Sequence, residues 1–537
     1  MVERLLKKKL LSICSPMSCT KKLHYAHALF VTIPNPTLFL LNTLIKAFSS
    51  SQSPSTALSL YSEAFNRHGL SPDHFTFPSI LKSCAVLYSL RFGCCVHSRV
   101  VRTGHEANLY VASTLIHMYM SCTDLASAEV VFSKVAIEAR NIVIWSTMIG
   151  GYAQNGREAE AIALFRHMVD ACADPPNEIA VVSVLASCGR ALDLDSGRWV
   201  HDNLIRCWKH LKSDVVIDTA VVDMYGRCGS LEIARDLFDR MPVRNEFSWN
   251  AMINAYNQYE NYTESIRLFA SMLSSGEEVR PDKVTILGIL AASAGKSCCR
   301  LGKEIHGYLE RNFKPSSAKD STSIYTSVID MYCKTGNARS ALKTFTRCLP
   351  TRDVLAWTTM IMGLATHGHG RSAVELFRQM ERDGSVVPDH IAFIGVLTAC
   401  RHAGLVDEGI HLFGVMRNVY ALEPEPQHYG CMMNLLCRAG RFEEAERLLS
   451  EMPFGGSAEI WGSVLSGCEM HGNYELAEKI KREMNEFGDV RSSGVYVLLS
   501  NVYASGGKWD GVKKARELMQ RKGIEKTPGF SSTIQVF

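Results

Sequence analysis

The residues best suited to metal or redox chemistry occur without the spacing that such chemistry needs. The chain has 18 cysteines and 18 histidines among its 537 residues. No C-x-x-C pair occurs, and the doublets Cys94–Cys95 and Cys298–Cys299 are too close together for ordinary zinc-ligand spacing. The histidines show no ligand spacing either. We therefore expect reduced, buried thiols, no metal site and no cofactor.

Catalytic signatures are equally scarce. The sequence contains neither a phosphate-cradling glycine loop nor the H-x-E and P-C-x-x-C pattern of zinc deaminases. Apolar residues make up 47% of the chain and charged residues 21%, which predicts a folded protein without a membrane span. The net charge of +4 is small for a nucleic-acid binder, so any such ligand must be recognised largely through its bases. We predict that the chain is not an enzyme.

Aromatic and proline residues recur along the chain with one long period of roughly 105 residues, which indicates internal repeats. The markers are Trp145, Trp249, Trp357 and Trp461, then Tyr119, Tyr225 and Tyr332, then Pro72, Pro176, Pro281 and Pro388. A unit of this length divides into three units of about 35 residues, the size of a helical hairpin. Such hairpins bury their apolar faces by stacking on one another.

One hairpin can be derived in detail from residues 246–282. Trp249, Met252, Ile253 and Tyr256 share one face of a first helix. We expect Thr263 to cap a second helix whose buried face carries Ile266, Phe269 and Leu273, and Gly276 to end it. The aromatic and methionine markers are therefore predicted to be core residues.

These strings resemble the pentatricopeptide repeat (PPR) proteins of plant organelles, in the subclass whose repeats cycle through ordinary, long and short types. "IWSTMIGGYAQNGREAEAIALF" looks like the ordinary type, "HIAFIGVLTACRHAGLVDEG" like the long type and "TAVVDMYGRCGSLEIARDLFDRMP" like the short type. The resemblance implies an all-α fold, a right-handed superhelical α-solenoid of tandem helix-turn-helix repeats. It also implies single-stranded RNA as the ligand.

The repeats can be assigned from these motifs. We expect ordinary repeats to begin at Leu38, Ile142, Glu246 and Val354, long repeats at His74, Glu178, Lys283 and His390, and short repeats at Leu109, Val215, Thr322 and Pro426. The repeat tract then spans residues 38–457. Residues 1–37 are predicted to hold a degenerate first repeat and a short targeting segment, two interpretations that overlap because the basic stretch Met1–Lys22 also suits a first helix.

The pattern changes after the last short repeat. Residues 458–537, with "IWGSVLSGCEMHGNYELAEKI" and "YVLLSNVYASGGKWDGVKKARELMQ", resemble the E-type extension motifs of family members that act in RNA editing. The DYW-type deaminase domain that follows in many relatives is not seen in this sequence. The closing stretch "PGFSSTIQVF" also lacks the Trp that relatives usually have there.

The resemblance implies a base-reading pair in each repeat, formed by its fifth and its last residue. A last Asp only accepts hydrogen bonds and so suits the ring N–H of uracil or guanine, whereas a last Asn also donates and suits adenine or cytosine. In the family, Ser or Thr at the fifth position goes with purines and Asn with pyrimidines. The pairs, with the base each implies, are Asn42 with Asp73 (U), Ser113 with Asn141 (A), Ser146 with Asn177 (A), Thr219 with Asn245 (A), Asn250 with Asp282 (U), Thr326 with Asp353 (G) and Thr358 with Asp389 (G).

The remaining repeats depart from this code. Long repeats carry Pro78, Val182, Leu287 and Ile394 at the fifth position, and the last short repeat carries Gly430 with Ser457. The implied target is 5′-U-x-A-A-x-A-U-x-G-G-x-x-3′, with N-terminal repeats toward the 5′ end. An alternative for each polar residue is a helix N-cap or turn former, since Ser, Thr, Asn and Asp favour such places.

Three functions are compatible with these features. The resemblance favours a site-recognition factor for C-to-U editing of organellar transcripts, with the mitochondrion as location and the chloroplast as alternative. It would act with a DYW-type deaminase protein and other editing factors. The alternatives are an RNA stabilisation, splicing or translation factor without an editing role, and a protein-binding helical scaffold, which would need no polar pairs at fixed offsets.

Overall fold

The computed structural model of the chain describes residues 20–31, 37–51, 53–67, 71–171, 175–207, 214–274, 279–312, 318–347, 352–453, 456–486 and 492–524. All regular structure in these ranges is helical, as predicted. In this part of the chain, no helix combines the length and the apolar character that a bilayer crossing requires. The chain divides into two compact units, Met1–Arg280 and Pro281–Phe537.

The first unit contains helices that alternate between a first (A) and a second (B) helix of a hairpin. They are α1 (Thr20–Val31), α2 (Leu38–Ser49), α3 (Pro54–Arg67), α4 (Thr76–Val86), α5 (Leu90–Arg102), α6 (Leu109–Ser121), α7 (Leu125–Lys134), α8 (Ile142–Gln154), α9 (Glu158–Ala171), α10 (Glu178–Ala191), α11 (Leu194–Arg206), α12 (Val215–Arg227), α13 (Leu231–Arg240), α14 (Glu246–Gln258) and α15 (Tyr262–Ser274). A short 3₁₀ turn, Ile137–Ala139, lies between α7 and α8.

The second unit repeats this alternation. Its helices are α16 (Lys283–Gly295), α17 (Cys299–Asn312), α18 (Ala318–Lys334), α19 (Ala338–Arg347), α20 (Val354–Thr366), α21 (Gly370–Asp383), α22 (His390–Ala403), α23 (Val406–Asn418), α24 (Pro426–Arg438), α25 (Phe442–Glu451), α26 (Ala458–His471), α27 (Tyr474–Glu486), α28 (Ser493–Ser505) and α29 (Trp509–Arg521). In both units each A helix packs against the A helix of the next repeat and against its own B helix. The A helices therefore form a continuous row within each unit.

The sequence pattern explains the core of each hairpin. Trp249, Met252, Ile253 and Tyr256 on α14 are all buried, as their spacing predicts. Trp145 is fully buried, and Trp357 is 3% exposed. Burying a side chain of this size contributes roughly 1.5–3 kcal/mol per residue, so these positions hold successive hairpins together.

Two details of the second helix of that hairpin were predicted wrongly. Helix α15 begins at Tyr262, so Thr263 lies inside the first turn rather than before it. Leu273 is 49% exposed, and Met272, one residue earlier, is buried instead. The flexible methionine side chain competes well for an irregular core space, which apolar spacing alone does not reveal. Gly276 lies outside the described residues.

The predicted repeat starts agree with the observed A helices at ten of the twelve positions. Helix α4 begins at Thr76, two residues after the predicted start, because His74 and Phe75 form a turn. Helix α18 begins at Ala318, four residues before the predicted start at Thr322. The third short repeat therefore has a longer A helix than the other short repeats.

Small residues set the spacing between long and short repeats. A Cβ atom added to Gly93, Gly197 or Gly302 on a long-repeat B helix would overlap the sulfur of Met118, Met224 or Met331 on the next A helix. Four residues further along each B helix, a histidine ring nitrogen is hydrogen-bonded to a tyrosine hydroxyl of that same A helix. The pairs are His97–Tyr119 at 2.8 Å, His201–Tyr225 at 3.0 Å and His306–Tyr332 at 3.1 Å. At the fourth such junction, Phe413 on α23 replaces the histidine and Leu436 on α24 replaces the tyrosine, and both are buried.

Candidate functional site

The last residue of a repeat caps the A helix that follows. At α8, α10 and α14 the side-chain oxygens of Asn141, Asn177 and Asn245 accept the backbone N–H of the third residue of the helix, at 3.0–3.1 Å. Asp282, Asp353 and Asp389 do the same at 2.8–2.9 Å. Asp73 accepts from Thr76 N–H at 2.9 Å. The cap engages one polar atom of each side chain, and each amide or carboxylate has a second.

Two predicted pairs are in direct contact. Asn42 Nδ2 donates to Asp73 Oδ1 at 3.0 Å, and Ser146 Oγ donates to Asn177 Oδ1 at 2.8 Å. Thr76 completes the first arrangement, because its hydroxyl donates to Asn42 Oδ1 at 2.7 Å. Each contact joins the fifth and the last residue of one repeat, so the two form one polar patch at the N-terminal end of the next A helix.

Hydrogen bonds also control the charge of Asp73. Burial raises the pKa of its carboxyl group, but hydrogen bonds from Thr76, Asn42 and Phe75 outweigh burial and hold the pKa below its ordinary value. The Asp73 side chain is therefore a carboxylate at neutral pH, an acceptor without a proton to donate.

The hydroxyl groups of the threonines at fifth positions lack hydrogen-bond partners among the described residues. Thr326 and Thr358 are each 5% exposed, and their hydroxyls, like that of Thr219, have no hydrogen-bond partner among the described residues. A buried hydroxyl without a partner costs roughly 1–3 kcal/mol. A threonine on a helix populates two χ1 rotamers, and rotation exchanges the hydroxyl with the methyl group. These hydroxyls are therefore available to a ligand that supplies a partner.

The other predicted site residues are placed as follows. Ser113 is 8% exposed and its hydroxyl donates to the backbone oxygen of Tyr110 at 3.0 Å, so it bonds within its own helix. Asn250 is buried on α14 in the first unit, whereas Asp282 belongs to the second unit.

An exposed apolar side chain at the second position of a repeat is a feature that the sequence analysis missed. The second residue precedes the fifth by three, so the two lie on the same face one helical turn apart. The exposed fractions are 67% for Phe39, 66% for Phe75, 78% for Tyr110, 51% for Val143, 64% for Ile179, 46% for Val216, 63% for Phe247, 47% for Val284, 62% for Leu355 and 55% for Ile391. Ser323 and Gln427 are the exceptions. The sequence carried one signal for this feature. In most A helices an apolar residue stands at the second position, outside the positions that the helical spacing predicts to be buried.

The repeats that depart from the code also differ structurally. The fifth residues of the long repeats, Pro78, Val182, Leu287 and Ile394, are part-exposed and offer no side-chain hydrogen bond. A Cβ atom added to Gly430 would meet nothing within 4 Å, and Ser457 caps α26 with a long 3.4 Å hydrogen bond.

One group of potential metal ligands occurs among the described residues. The donor atoms of His390, Glu425 and His428 lie within 4.8 Å of one another. However, His428 Nδ1 accepts the Glu425 backbone N–H at 3.1 Å, and its Nε2 donates to the His390 carbonyl at 2.9 Å. Burial lowers the pKa of His428, which fits this neutral form. Neither ring nitrogen has a lone pair left for a metal, so His428 acts as a cap for α24.

Buried cysteines in the described ranges are not prepared for nucleophilic chemistry. Burial raises the pKa of Cys84, Cys188 and Cys400 to about 12. At neutral pH they remain thiols, and the thiolate is the reactive form.

The repeated surface suits a planar heteroaromatic ring. The exposed second residue offers apolar contact to a ring face, and the reading pair offers donors and acceptors to a ring edge. Because this arrangement recurs along the first unit and is complete again at Leu355, Thr358 and Asp389 in the second, it suits a ligand built from several such rings.

Family models match much of the repeat region. A PPR repeat model matches residues 143–172, 219–245, 247–277, 323–348 and 355–385, and a second PPR repeat model matches residues 422–453. An E motif model matches residues 471–535.

Several curated proteins of Arabidopsis thaliana are similar over nearly the whole chain. A putative pentatricopeptide repeat-containing protein is 42% identical, covering 98% of this chain and 93% of the relative. A mitochondrial pentatricopeptide repeat-containing protein is 33% identical, covering 98% and 80%. A chloroplastic one is 36% identical, covering 98% and 73%.

Solved structures show the same fold. The crystal structure of the maize pentatricopeptide repeat protein PPR10 aligns with a TM-score of 0.53 and 16% identity, over 93% of this chain and 82% of that chain. PPR10 in complex with an 18-nt psaJ RNA element aligns with the same TM-score and identity, over 96% and 84%.

Proposed function

Because the chain belongs to the pentatricopeptide repeat family, we propose that it binds one stretch of single-stranded RNA and selects its bases through the predicted pairs. Helical repeat proteins of this kind read about one base per repeat with two or three side chains. The observation that carries the proposal is the contact between Asn42 and Asp73, the fifth and the last residue of one repeat. The structure of maize PPR10 with RNA supports the ligand class.

The base that each reading pair can bind depends on which polar atoms of the pair are not used by the helix cap. Asp73 Oδ1 accepts from Asn42, Phe75 and Thr76, and the second carboxylate oxygen remains to accept the N3–H of uracil. The second N–H of the Asn42 amide can donate to a uracil carbonyl. The helix-cap alternative raised from sequence is thus compatible with base reading, because the two roles use different atoms.

Apolar second residues would supply affinity without selecting sequence. Stacking of a base on an aromatic side chain contributes roughly 1–3 kcal/mol per base and tolerates every base. The bases would lie against residues such as Phe39, Phe75 and Phe247, with their edges toward the reading pair. The small net charge of +4 agrees with recognition that depends more on bases than on phosphates.

Equilibrium binding to synthetic RNA tests this proposal. The full-length protein is titrated into a labelled RNA containing U-x-A-A-x-A-U-x-G-G and into an RNA of the same composition in scrambled order. We expect the ordered RNA to bind at least tenfold more tightly, since each well-placed pair is worth roughly 1–3 kcal/mol of discrimination. Equal affinity for both RNAs would rule out base selection by these pairs.

We further propose that the bound RNA is an organellar transcript and that the protein marks a cytidine in it for C-to-U editing. The match of residues 471–535 to the E motif supports this role. A DYW-type deaminase supplied by another protein, with other editing factors, would carry out the reaction. The proposed location is the mitochondrion, with the chloroplast as alternative, because relatives are described as mitochondrial or chloroplastic.

RNA stabilisation, splicing or translation without editing is the second candidate function. The pair of Gly430 and Ser457 in the last short repeat favours it, because this repeat would stand nearest the edited base and offers no matched side chains. Transcript sequencing in a loss-of-function line separates the two. Loss of one C-to-U event supports editing, and altered transcript abundance or processing supports the second candidate.

A further inference from the structure

An arginine stack recurs where a short repeat passes to an ordinary repeat. Arg140, Arg244 and Arg352 each lie over a phenylalanine of the preceding B helix and a tryptophan of the next A helix. Distances from the guanidinium carbon to the ring centroids are 4.2 Å to Phe132 and 5.3 Å to Trp145, 5.0 Å to Phe238 and 6.0 Å to Trp249, and 5.0 Å to Phe345 and 5.8 Å to Trp357. The two rings of each pair meet edge to face.

The same guanidinium groups hold the end of the preceding helix. Arg244 Nε donates to the Phe238 carbonyl at 3.0 Å, and its Nη2 donates to the Asp239 carbonyl at 2.8 Å. Arg140 and Arg352 donate in the same way to Val135 and Phe345. Stacking and a forked set of donors on one planar group are properties of arginine that lysine does not share.

The linkers at these junctions differ in length, but each arginine lies over the same pair of rings, a phenylalanine and a tryptophan. The preceding B helices end at Lys134, Arg240 and Arg347, and the arginines follow after different numbers of residues. The first linker includes the 3₁₀ turn Ile137–Ala139. The ring stack, and not the linker conformation, therefore fixes the arginine.

The residue that follows each arginine is a predicted reading residue. Asn141, Asn245 and Asp353 come directly after Arg140, Arg244 and Arg352. In the ordinary repeats that residue is instead preceded by a buried proline, which restricts its own φ angle. The prolines are Pro72, Pro176, Pro281 and Pro388.

The last short repeat, which has no matched reading pair, has neither a stacked arginine nor a proline before its last residue. Ser457 follows Gly456, and a Cβ atom at Gly456 would overlap the ring of Trp461. The tryptophan thus closes over the position where an arginine lies at the other junctions. Among the ordinary and short repeats, a proline or a stacked arginine before the last residue and a matched reading pair are present together or absent together.

We propose that Arg140, Arg244 and Arg352 are positioning residues that hold the last residue of each short repeat in place to select its base. This inference rests on the proposed RNA-binding function. The stack immobilises the backbone before the reading residue, so its amide or carboxylate is presented in one orientation. The arginine acts through its neighbour and makes no contact with the base.

Position-specific binding of full-length variants tests the inference. Arg244→Met keeps the apolar stem of the side chain, whereas Arg244→Lys keeps the charge. For both we expect discrimination between A and other bases at the sixth nucleotide of the target to fall about tenfold, the effect of roughly one well-placed hydrogen bond. Discrimination at the other nucleotides should stay as in the wild type. Arg240→Met is the matched control, because Arg240 is an exposed residue of α13 paired with Asp236, and it should change nothing.

Other outcomes separate the failure of this inference from that of the proposed function. If Arg244→Met weakens every RNA equally and Arg244→Lys restores binding, the arginine serves as a charge for phosphate and the positioning role is overturned. Unchanged discrimination at the sixth nucleotide overturns it as well. If the wild type itself shows no base preference, the proposed function fails. Should Arg244→Met lose its helical circular dichroism signal, Arg140→Met tests the same role at the third nucleotide.

Discussion

Asn42 donates a hydrogen bond from Nδ2 to Oδ1 of Asp73, 3.0 Å away at the end of the same repeat. The same Oδ1 atom accepts the backbone N–H groups of Phe75 and Thr76 at the start of α4. Asp73 therefore caps the A helix of the next repeat and also contacts the fifth residue of its own repeat. Its other carboxylate oxygen receives no hydrogen bond from the described part of the chain. In the RNA-binding account, this oxygen accepts from the base.

Replacing Asp73 with Asn should change the preferred base and keep the fold. Asn caps helices about as well as Asp, so the helix should remain stable. The amide adds a donor, which suits cytosine in place of uracil. We expect the preference at the first nucleotide to move from U to C, measured by fluorescence anisotropy with four RNAs that differ at that nucleotide.

Asp124→Asn is the matched control. Asp124 caps the B helix α7 through Ser127 N–H at 3.2 Å but does not end a repeat. This variant should leave base preference unchanged at every nucleotide. An equal change in both variants would show that capping, and not base contact, underlies the effect.

Replacing Thr358 with Val should stabilise the free protein and weaken base selection. The Thr358 hydroxyl is buried without a partner among the described residues, and a methyl group removes that cost. We expect the free energy of unfolding in urea to rise by about 1 kcal/mol. Discrimination for G at the tenth nucleotide should fall at the same time. A gain in stability together with a loss of base discrimination is expected where a side chain serves to bind a ligand.

Thr76→Val provides the opposite case. The Thr76 hydroxyl is bonded to Asn42 and Asp73, so its loss should destabilise the protein by about 1 kcal/mol. If Thr358→Val also destabilises the protein, its hydroxyl is already paired in solution, and the account of an unfinished site at Thr358 is wrong.

Replacing Phe247 with Ala should weaken binding of all RNAs to a similar degree. Phe247 is 63% exposed, so little core packing is lost. Losing one stacking surface should cost roughly 1–3 kcal/mol of binding free energy without changing base preference. Leu273→Ala, at an exposed apolar residue of α15, is the control and should bind as the wild type does. Equal losses in the two variants would remove the special role of second positions.

The His201–Tyr225 hydrogen bond should behave as a coupled unit in stability measurements. His201→Phe and Tyr225→Leu each leave one polar partner without its hydrogen bond, whereas the double variant reproduces the combination of Phe413 and Leu436 at the equivalent positions of the fourth long-to-short junction. We expect the double variant to be more stable than the sum of the single effects by about 1 kcal/mol. Additive effects in urea denaturation would contradict a direct interaction.

The same pair should contribute to pH dependence. Burial lowers the pKa of His201 below its ordinary value. The unfolded chain therefore binds a proton more readily than the folded chain, and stability is lost as the pH falls below about 6.5. The midpoint of urea unfolding should decline less between pH 7.5 and 5.5 in the double variant than in the wild type. An identical decline would exclude His201 as a contributor.

The hairpin architecture could be derived from sequence because its signals are periodic. Trp249, Met252, Ile253 and Tyr256 specify one buried face of α14, and no other secondary structure buries that set. Errors arose where the choice depends on tertiary packing. Met272 replaced Leu273 in the core, and α18 extends to Ala318, because neither outcome changes the local periodicity.

The candidate site was only partly predictable. Ser, Asn and Asp at fixed offsets marked the pairs, but the sequence could not show that one Asp73 oxygen serves both the cap and Asn42. Exposure of Phe39 and Phe75 also depends on how neighbouring helices pack, so their apolar character alone does not reveal it. The arginine stacks join residues of successive repeats, and no single-repeat pattern contains them.

Selection from a random RNA pool tests the central claim most directly. The full-length protein and its Thr326→Asn variant are each incubated with a pool of random RNAs, and bound molecules are sequenced. We predict that the wild type enriches U-x-A-A-x-A-U-x-G-G and that the variant changes only the ninth nucleotide, from G to U. Enrichment of no common sequence, or an identical motif for both proteins, would contradict base selection by these side chains.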